Sequence, residues 1–224
     1  MKKDVLTFES MQYIISYPEG YHLGEKYPVI LFLHGAGSRG KDIDTLLGNP
    51  YFQITQKHSD FPFVTVAPHC HADTWFDLFE TLEKLAKAIV AMPFTDGSRI
   101  YLIGASMGGY ATWQLAMSMP EYFAAIVPIC GGGMYWNAGR LVNVPVRAFH
   151  GANGEVVCVK ESVKMVEAVK RSGGKAELIV YPEIGHNAWS DTYSNWAVFE
   201  WLLSHKNENV EQVVNYYKDN MLFG

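Results

Sequence analysis

Residues 98–109 read Ser-Arg-Ile-Tyr-Leu-Ile-Gly-Ala-Ser-Met-Gly-Gly, an apolar run that leads into a serine flanked by glycines. The run at 99–103 is typical of a buried strand, and the helix-like stretch 110–118 follows the glycines. A turn between strand and helix this tight strains the backbone of Ser106 and tolerates only small residues two before and two after it. The stretch therefore predicts a nucleophile elbow with Ser106 at its tip. The structural alternative is a helix N-cap, a position that serine also favours.

A second strand leads into a glycine-rich loop upstream. Residues 27–33 are almost entirely apolar and run directly into His34-Gly-Ala-Gly-Ser-Arg-Gly40. Such a loop lets backbone N–H groups face a pocket, where they stabilise negative charge on a substrate oxygen. We expect the amides of Ala36 and Met107 to form this oxyanion hole, and His34 to pack and hydrogen-bond beneath the loop. The amides of Gly35 and Gly37 are alternatives to that of Ala36.

A histidine follows the last apolar run of the chain. Residues 176–181 predict a strand, and Pro182-Glu-Ile-Gly-His-Asn-Ala-Trp189 follows it. On a loop past a strand end, His186 is placed to take a proton from Ser106 and later to give it to a leaving group. We expect the cluster His69-Cys70-His71 to be structural, because three adjacent residues cannot close a tetrahedral metal site. No metal or other cofactor is expected.

Four motifs, in their order along the chain, resemble the α/β-hydrolase superfamily. They are His34-Gly-Ala-Gly37, Gly104-Ala-Ser-Met-Gly-Gly109, Val144-Pro-Val-Arg-Ala-Phe-His-Gly151 and Gly185-His-Asn-Ala-Trp189. The branch they resemble most is that of compact serine esterases similar to feruloyl and acetyl-xylan esterases and to the catalytic domain of prolyl oligopeptidases. The resemblance extends to about residue 203. It implies hydrolysis of an ester, or less often of a peptide bond, through an acyl-serine intermediate.

The acid of the catalytic triad departs from this pattern. The resemblance implies an aspartate at about the place of Gly154, but residues 150–158 read His-Gly-Ala-Asn-Gly-Glu-Val-Val-Cys. An imidazolium forms during the reaction and favours a nearby anion. The nearest anion is Glu155, and no other Asp or Glu lies between Glu121 and Glu155. We therefore predict Glu155 as the acid. The alternatives are Asn153, Asp191 and an incomplete triad.

Apolar runs and helix-like stretches alternate along the chain. This alternation predicts one α/β domain over residues 1–224, built on a mostly parallel, doubly wound sheet with helices on both faces. The segment 130–142 is too short for a cap domain, so an open cleft is expected. The predicted strands are 5–17, 29–33, 63–67, 99–103, 124–129, 146–149 and 178–181. The predicted helices are 78–92, 110–118, 160–172 and 193–205.

Charge and hydropathy exclude several classes of partner. The net charge is −5 and the lysines and arginines are scattered, so no basic stripe is present for nucleic acid or an anionic membrane. No apolar run is long enough to span a bilayer, and we expect a soluble, cytoplasmic protein. The tail 206–224 has apolar residues at helical spacing and predicts a helix that packs on its own domain, or on a second copy in a homodimer.

Aromatic residues near the predicted strand ends indicate the substrate class. We expect Trp75, Trp136 and Trp189 to line the cleft as an acyl pocket or a platform for a ring. The function predicted is that of a serine carboxylesterase for small or aromatic acyl esters, carbohydrate esters included. Two alternatives stay open: a peptidase of the prolyl oligopeptidase type, and a non-catalytic hydrolase-fold binding protein, which the missing aspartate supports.

Overall fold

The computed structural model describes residues 1–208, and their strands form one sheet. The strands are β1 (Lys3–Phe8), β2 (Met11–Ser16), β3 (Tyr27–Leu33), β4 (Val64–Pro68), β5 (Thr95–Ala105), β6 (Ala125–Ile129), β7 (Val146–Gly151) and β8 (Ala176–Tyr181). Their order in the sheet is β1-β2-β4-β3-β5-β6-β7-β8. β1 and β2 pair antiparallel, as do β2 and β4, and the remaining neighbours are parallel. The mostly parallel, doubly wound sheet predicted from the sequence is confirmed.

The segment predicted as one strand over 5–17 is a hairpin. β1 and β2 pair from Lys3 with Ser16 to Phe8 with Met11, which leaves Glu9 and Ser10 as the turn. Glu9 has a φ of 52°, a left-handed conformation that glutamate seldom adopts. Because the turn lacks the Asn-Gly or Asp-Gly residues that normally mark a hairpin, the sequence pattern does not show it.

Helices cover both faces of the sheet. They are α1 (Asp44–Leu47), α2 (Pro50–Thr55), α3 (Phe79–Ala91), α4 (Met107–Ser118), α5 (Val159–Arg171), α6 (Trp189–Ser194) and α7 (Trp196–Leu203). Alternate residues of β3 face opposite sides: Leu31 packs with α3, α4 and α5, whereas Phe32 packs with α2, α6 and α7. Each face is thus buried by its own set of helices.

The predicted helix over 193–205 is divided in two. Asn195 has extended backbone angles and separates α6 from α7. Its side chain accepts a hydrogen bond of 3.2 Å from the backbone nitrogen of Ala197 and so caps α7. The apolar residues of the predicted tail helix, Val210, Val213, Val214 and Tyr217, lie outside the described residues.

The carboxyl ends of the parallel strands meet at one edge of the sheet. Leu33 of β3 pairs with Gly104 of β5, and Gly151 of β7 pairs with Tyr181 of β8. Between β6 and β7 the chain forms a 3-10 helix, Tyr135–Leu141, and no cap domain covers this edge within residues 1–208. The same described residues contain no helix with the length and apolarity that a bilayer span requires.

Candidate active site

Ser106 occupies the turn between β5 and α4. Its backbone angles, φ 55° and ψ −117°, lie outside the regions that L-residues ordinarily adopt. A Cβ atom added to Gly104 would lie 2.3 Å from the carbonyl oxygen of Gly108, and one added to Gly108 would lie 1.9 Å from that of Leu33. The two glycines let helix and strand approach closely enough to hold Ser106 at the tip of the turn.

His186 and Ser106 lie 80 residues apart in sequence and in contact in space. The Nε2 atom of His186 is 2.9 Å from the Oγ atom of Ser106. The His186 ring also meets the ring of Trp189 edge-on, with centroids 5.2 Å apart and an interplanar angle of 89°. The structure thus brings together the residues predicted as nucleophile and base.

The surroundings of His186 favour its neutral form. Burial lowers the pKa of His186, and the nearby His150 lowers it further. A carboxylate against the ring would act in the opposite direction, because it stabilises the imidazolium. The buried Nδ1 atom of His186 has no hydrogen-bond partner among residues 1–208.

The structure does not bring the predicted acid to this histidine. The Glu155 side chain is exposed and has no hydrogen bond or ion pair with the described residues. The alternatives make no hydrogen bond to His186 either: the Asn153 side-chain amide donates one of 3.2 Å to the carbonyl oxygen of Pro182, and Asp191 is exposed in the first turn of α6. The predicted contact between an acid and His186 is therefore absent from the described residues.

The loop after β3 is held in place by His34. The Nδ1–H group of His34 donates a hydrogen bond of 2.8 Å to the carbonyl oxygen of Gly35, while its Nε2 atom accepts one of 3.0 Å from the backbone nitrogen of Cys70. These partners require the neutral ring, and burial lowers the pKa of His34 to about 4. His34 therefore packs beneath the loop, as predicted.

This arrangement orients the peptide that carries the Ala36 amide. The Gly35 carbonyl also accepts from the backbone nitrogen of Ser38 at 3.2 Å. In a trans peptide the N–H group is directed opposite to the carbonyl, so two hydrogen bonds on Gly35 fix the direction of the Ala36 N–H. Met107 is the first residue of α4, where an N–H group has no acceptor within the helix.

The sequence predicts a structural role for the cluster His69-Cys70-His71. His69 Nε2 donates a hydrogen bond of 2.9 Å to the carbonyl oxygen of Ser38, and the Cys70 thiol donates to the carbonyl oxygen of Ala72 at 3.5 Å. Within residues 1–208 no three His, Cys, Asp or Glu side chains are grouped closely enough to hold a metal ion. His69 and Cys70 thus have structural partners.

A cavity of about 650 Å³ opens beside Ser106 and His186. Its wall combines three segments: the glycine-rich loop 34–40, called the oxyanion loop after its predicted role; the loop 182–188, called the histidine loop; and the segment around α1 and α2. The sequence patterns do not predict this third segment. The signal that could have found this segment is Asn49-Pro50: the Asn49 side chain accepts a hydrogen bond of 3.0 Å from Tyr51, and proline starts α2. The lining residues from that segment are Thr45, Gly48, Asn49 and Pro50.

The three tryptophans predicted for the cleft have different environments. Trp189 lines the cavity. Trp136 is 72% exposed on the 3-10 helix after β6 and is not part of the lining. The prediction for Trp75 needs correction: its side chain is 0% exposed, and a ring without exposed surface cannot contact a substrate. Its indole N–H binds the carbonyl oxygen of His34 instead, at 3.0 Å.

Comparisons with known proteins connect this geometry to hydrolases. The sequence model of the "Dienelactone hydrolase family" matches residues 67–219. "Probable feruloyl esterase C" of Aspergillus terreus (strain NIH 2624 / FGSC A1156) is 24% identical over 177 residues, covering 76% of this chain and 64% of the fungal protein. "Dipeptidyl-peptidase 5" of Porphyromonas gingivalis (strain ATCC 33277) is 20% identical over 225 residues, covering 75% of this chain and 32% of the peptidase.

The fold is also shared with solved structures. The crystal structure of a thermostable esterase superposes with a TM-score of 0.76 at 30% identity, over 91% of this chain and 63% of the esterase. The chain thus covers less than two thirds of the length of the feruloyl esterase and of the thermostable esterase, 64% and 63% respectively.

Proposed function

This chain belongs to the dienelactone hydrolase family of α/β-hydrolases, and on that basis we propose that it is a serine carboxylesterase for small or aromatic acyl esters. The observation that carries the proposal is the 2.9 Å contact between His186 Nε2 and Ser106 Oγ beside an open cavity. A hydroxyl held on a strained turn next to a neutral imidazole is an activated nucleophile.

Acylation begins at Ser106. Its Oγ atom attacks the acyl carbon while its proton passes to Nε2 of His186, and the carbonyl electron pair moves onto the substrate oxygen. The Ala36 and Met107 amides donate hydrogen bonds to that oxyanion. When the tetrahedral intermediate collapses, the bond to the alkoxy oxygen breaks and Nε2 returns its proton to the departing alcohol.

Deacylation repeats these steps with water. His186 takes a proton from a water molecule, whose oxygen attacks the acyl-serine carbon. The second intermediate collapses to a carboxylic acid, and Ser106 recovers its proton from His186. Each proton taken by the imidazole is given back in the same half-reaction, so the enzyme is unchanged after one turnover.

The cavity supports an acyl group of moderate size. A volume of about 650 Å³ exceeds what acetate occupies and falls in the range of pockets that hold small organic ligands. The partly exposed ring of Trp189 contributes to its wall and suits a planar acyl ring. The likeness to a feruloyl esterase supports the same substrate class.

The test compares p-nitrophenyl acetate, methyl ferulate and an aminoacyl-proline p-nitroanilide as substrates. Wild-type protein should hydrolyse both esters faster than the anilide, and Ser106→Ala should lower kcat by about 10³-fold or more. Ser59→Ala, at an exposed serine, is the matched control and should retain wild-type rates. Preferred cleavage of the anilide would indicate a peptidase, and no turnover of any substrate would indicate a binding protein.

A further inference from the structure

We propose that His186 acts in a serine–histidine pair without a carboxylate partner, and that contacts to the backbone of its loop supply the orientation that an acid would give. This inference rests on the proposed esterase function, and it concerns the third member of the catalytic triad, the acid. It assigns a positioning role to Cys130 and an unfilled acid position to Gly154.

The first observation is the environment of Nδ1. This atom is buried, and no described side chain or backbone group bonds to it. The two acidic residues that the sequence offers as partners, Glu155 and Asp191, are both exposed. Within residues 1–208 the base therefore lacks the anion that usually orients a catalytic histidine.

The second observation is the place of Gly154. The loop after β7 is tied to the histidine loop, because Asn153 donates from its backbone nitrogen to the carbonyl oxygen of Ile184 at 3.0 Å. A Cβ atom added to Gly154 would lie 3.9 Å from the carbonyl carbon of Gly185, the residue before His186. A side chain at position 154 would thus start next to the histidine, but glycine supplies none.

The third observation is what holds the histidine loop. The thiol of Cys130, at the end of β6, donates to the carbonyl oxygen of His186 at 3.1 Å, and the backbone nitrogen of Ala188 donates to the same oxygen at 2.9 Å. Burial raises the pKa of Cys130, so the sulfur keeps the proton that it donates. With the Trp189 ring against the imidazole, these contacts hold the backbone and the ring of His186 in place.

The missing carboxylate has a chemical consequence. To accept the Ser106 proton at Nε2, the neutral ring must carry its proton on Nδ1, and without an acceptor there nothing selects this tautomer. The imidazolium formed during acylation also lacks a counter-charge. In a complete triad, replacing the aspartate by asparagine costs about 10⁴-fold in kcat. The protein should therefore be a slow esterase whose rate rises when an acid is introduced.

The experiment uses the whole chain of residues 1–224 and changes positions 154 and 155. Glu155→Gln should alter kcat/KM by less than about threefold. Gly154→Asp should raise kcat/KM for p-nitrophenyl acetate by about tenfold or more. Gly154→Asn is the matched control, since it has the same size and the same contact of 2.9 Å between a Cβ atom and the carbonyl oxygen of Val157 but no charge. Gly154→Asn should not raise kcat/KM for this ester.

An NMR titration of His186 makes the test independent of turnover. Its pKa should be unchanged in Glu155→Gln and raised by about one unit or more in Gly154→Asp, as an adjacent anion requires. If the variants at position 154 fail to fold, the His186 titrations of wild type and Glu155→Gln still decide whether Glu155 is the partner of His186. A fall in the His186 pKa of about one unit in Glu155→Gln, with a loss of about 100-fold in kcat/KM, would overturn the proposal.

Other acids are tested in the same way. Asp191→Asn, and the changes Glu211→Gln and Asp219→Asn in the part of the chain beyond residue 208, should leave the titration of His186 unchanged. A shift in any of them would identify a partner and contradict the proposal. Failure of the esterase function itself has a different signature: no ester turnover and no reaction of Ser106 with a fluorophosphonate, whatever the His186 titration shows.

Discussion

The indole nitrogen of Trp75 donates a hydrogen bond of 3.0 Å to the carbonyl oxygen of His34. Since β3 ends at Leu33, this contact fastens the first residue of the oxyanion loop to a fully buried side chain. Trp75, which the sequence predicts as a platform for a substrate ring, instead holds the oxyanion loop in place from the protein interior.

Trp75→Phe should therefore weaken both the fold and the activity. It leaves the buried His34 carbonyl without this donor, which we expect to cost about 1–3 kcal/mol of unfolding free energy, and kcat should fall as the loop loosens. Urea denaturation and ester turnover check this. Trp136→Phe, at a ring 72% exposed, should change stability by no more than about 0.5 kcal/mol. Equal effects of the two changes would contradict the assignment.

His34 should make stability depend on pH. Burial lowers its pKa from the ordinary value of 6.5 to about 4 in the folded protein, so the unfolded chain binds this proton first as the pH falls. The stabilisation is complete above pH 6.5 and declines between pH 6.5 and 4, by about 3 kcal/mol in total. The difference in unfolding free energy between wild type and His34→Asn should shrink over this interval. A constant difference would show that His34 does not titrate there.

The glycine that follows the elbow should not accept a side chain. In Gly108→Ala the new Cβ atom would lie 1.9 Å from the carbonyl oxygen of Leu33, so strand and helix must separate. We expect a loss of about 3 kcal/mol or more, measured by thermal or urea denaturation. Gly37→Ala is the control, because nothing lies within 4 Å of its added Cβ atom. A stable, active Gly108→Ala protein would contradict the described packing.

Replacing Cys130 should lower kcat and leave KM unchanged. Cys130→Ala removes the donor to the His186 carbonyl while leaving the cavity lining intact, and we expect kcat to fall by about three- to tenfold with KM unchanged. Cys130→Ser retains a donor and should recover most of the rate. If alanine and serine behave alike, the hydrogen bond does not position the histidine.

Gly48 should determine how large an acyl group the cavity accepts. A Cβ atom there would meet only the carbonyl oxygen of Thr45, at 3.5 Å, so a larger side chain can enter the cavity without disturbing the backbone. Gly48→Leu should lower kcat/KM for methyl ferulate by about tenfold and leave p-nitrophenyl acetate within about threefold. An equal loss for both esters would place the acyl group elsewhere.

Local sequence patterns predict the strand and the helix on either side of Ser106. β5 and α4 lie where the apolar run and the helix-like stretch around Ser106 indicate, because a buried strand, a tight turn and an apolar helix leave strong local signals. The contact between Ser106 and His186 follows from topology, since both residues come after parallel strands whose carboxyl ends share one edge of the sheet.

Other features depend on contacts that no local pattern records. Whether Trp75 is buried or exposed is decided by the packing of α3 and the oxyanion loop, and both outcomes suit an aromatic residue after a strand. The short helices α1 and α2 lack enough turns to show a helical period. Proximity in sequence favours Glu155 as the acid, but its side chain is exposed, and the position beside the histidine loop belongs to Gly154.

The proposed function requires that Ser106 is the nucleophile of an ester hydrolase. Its most direct measurement is mass spectrometry of the intact protein and its peptides after reaction with a fluorophosphonate, performed on wild type and on Ser106→Ala. One adduct per chain is expected, located on Ser106, with parallel loss of esterase activity and no adduct in the variant. An adduct on another residue, or unlabelled protein that still hydrolyses esters, would contradict it.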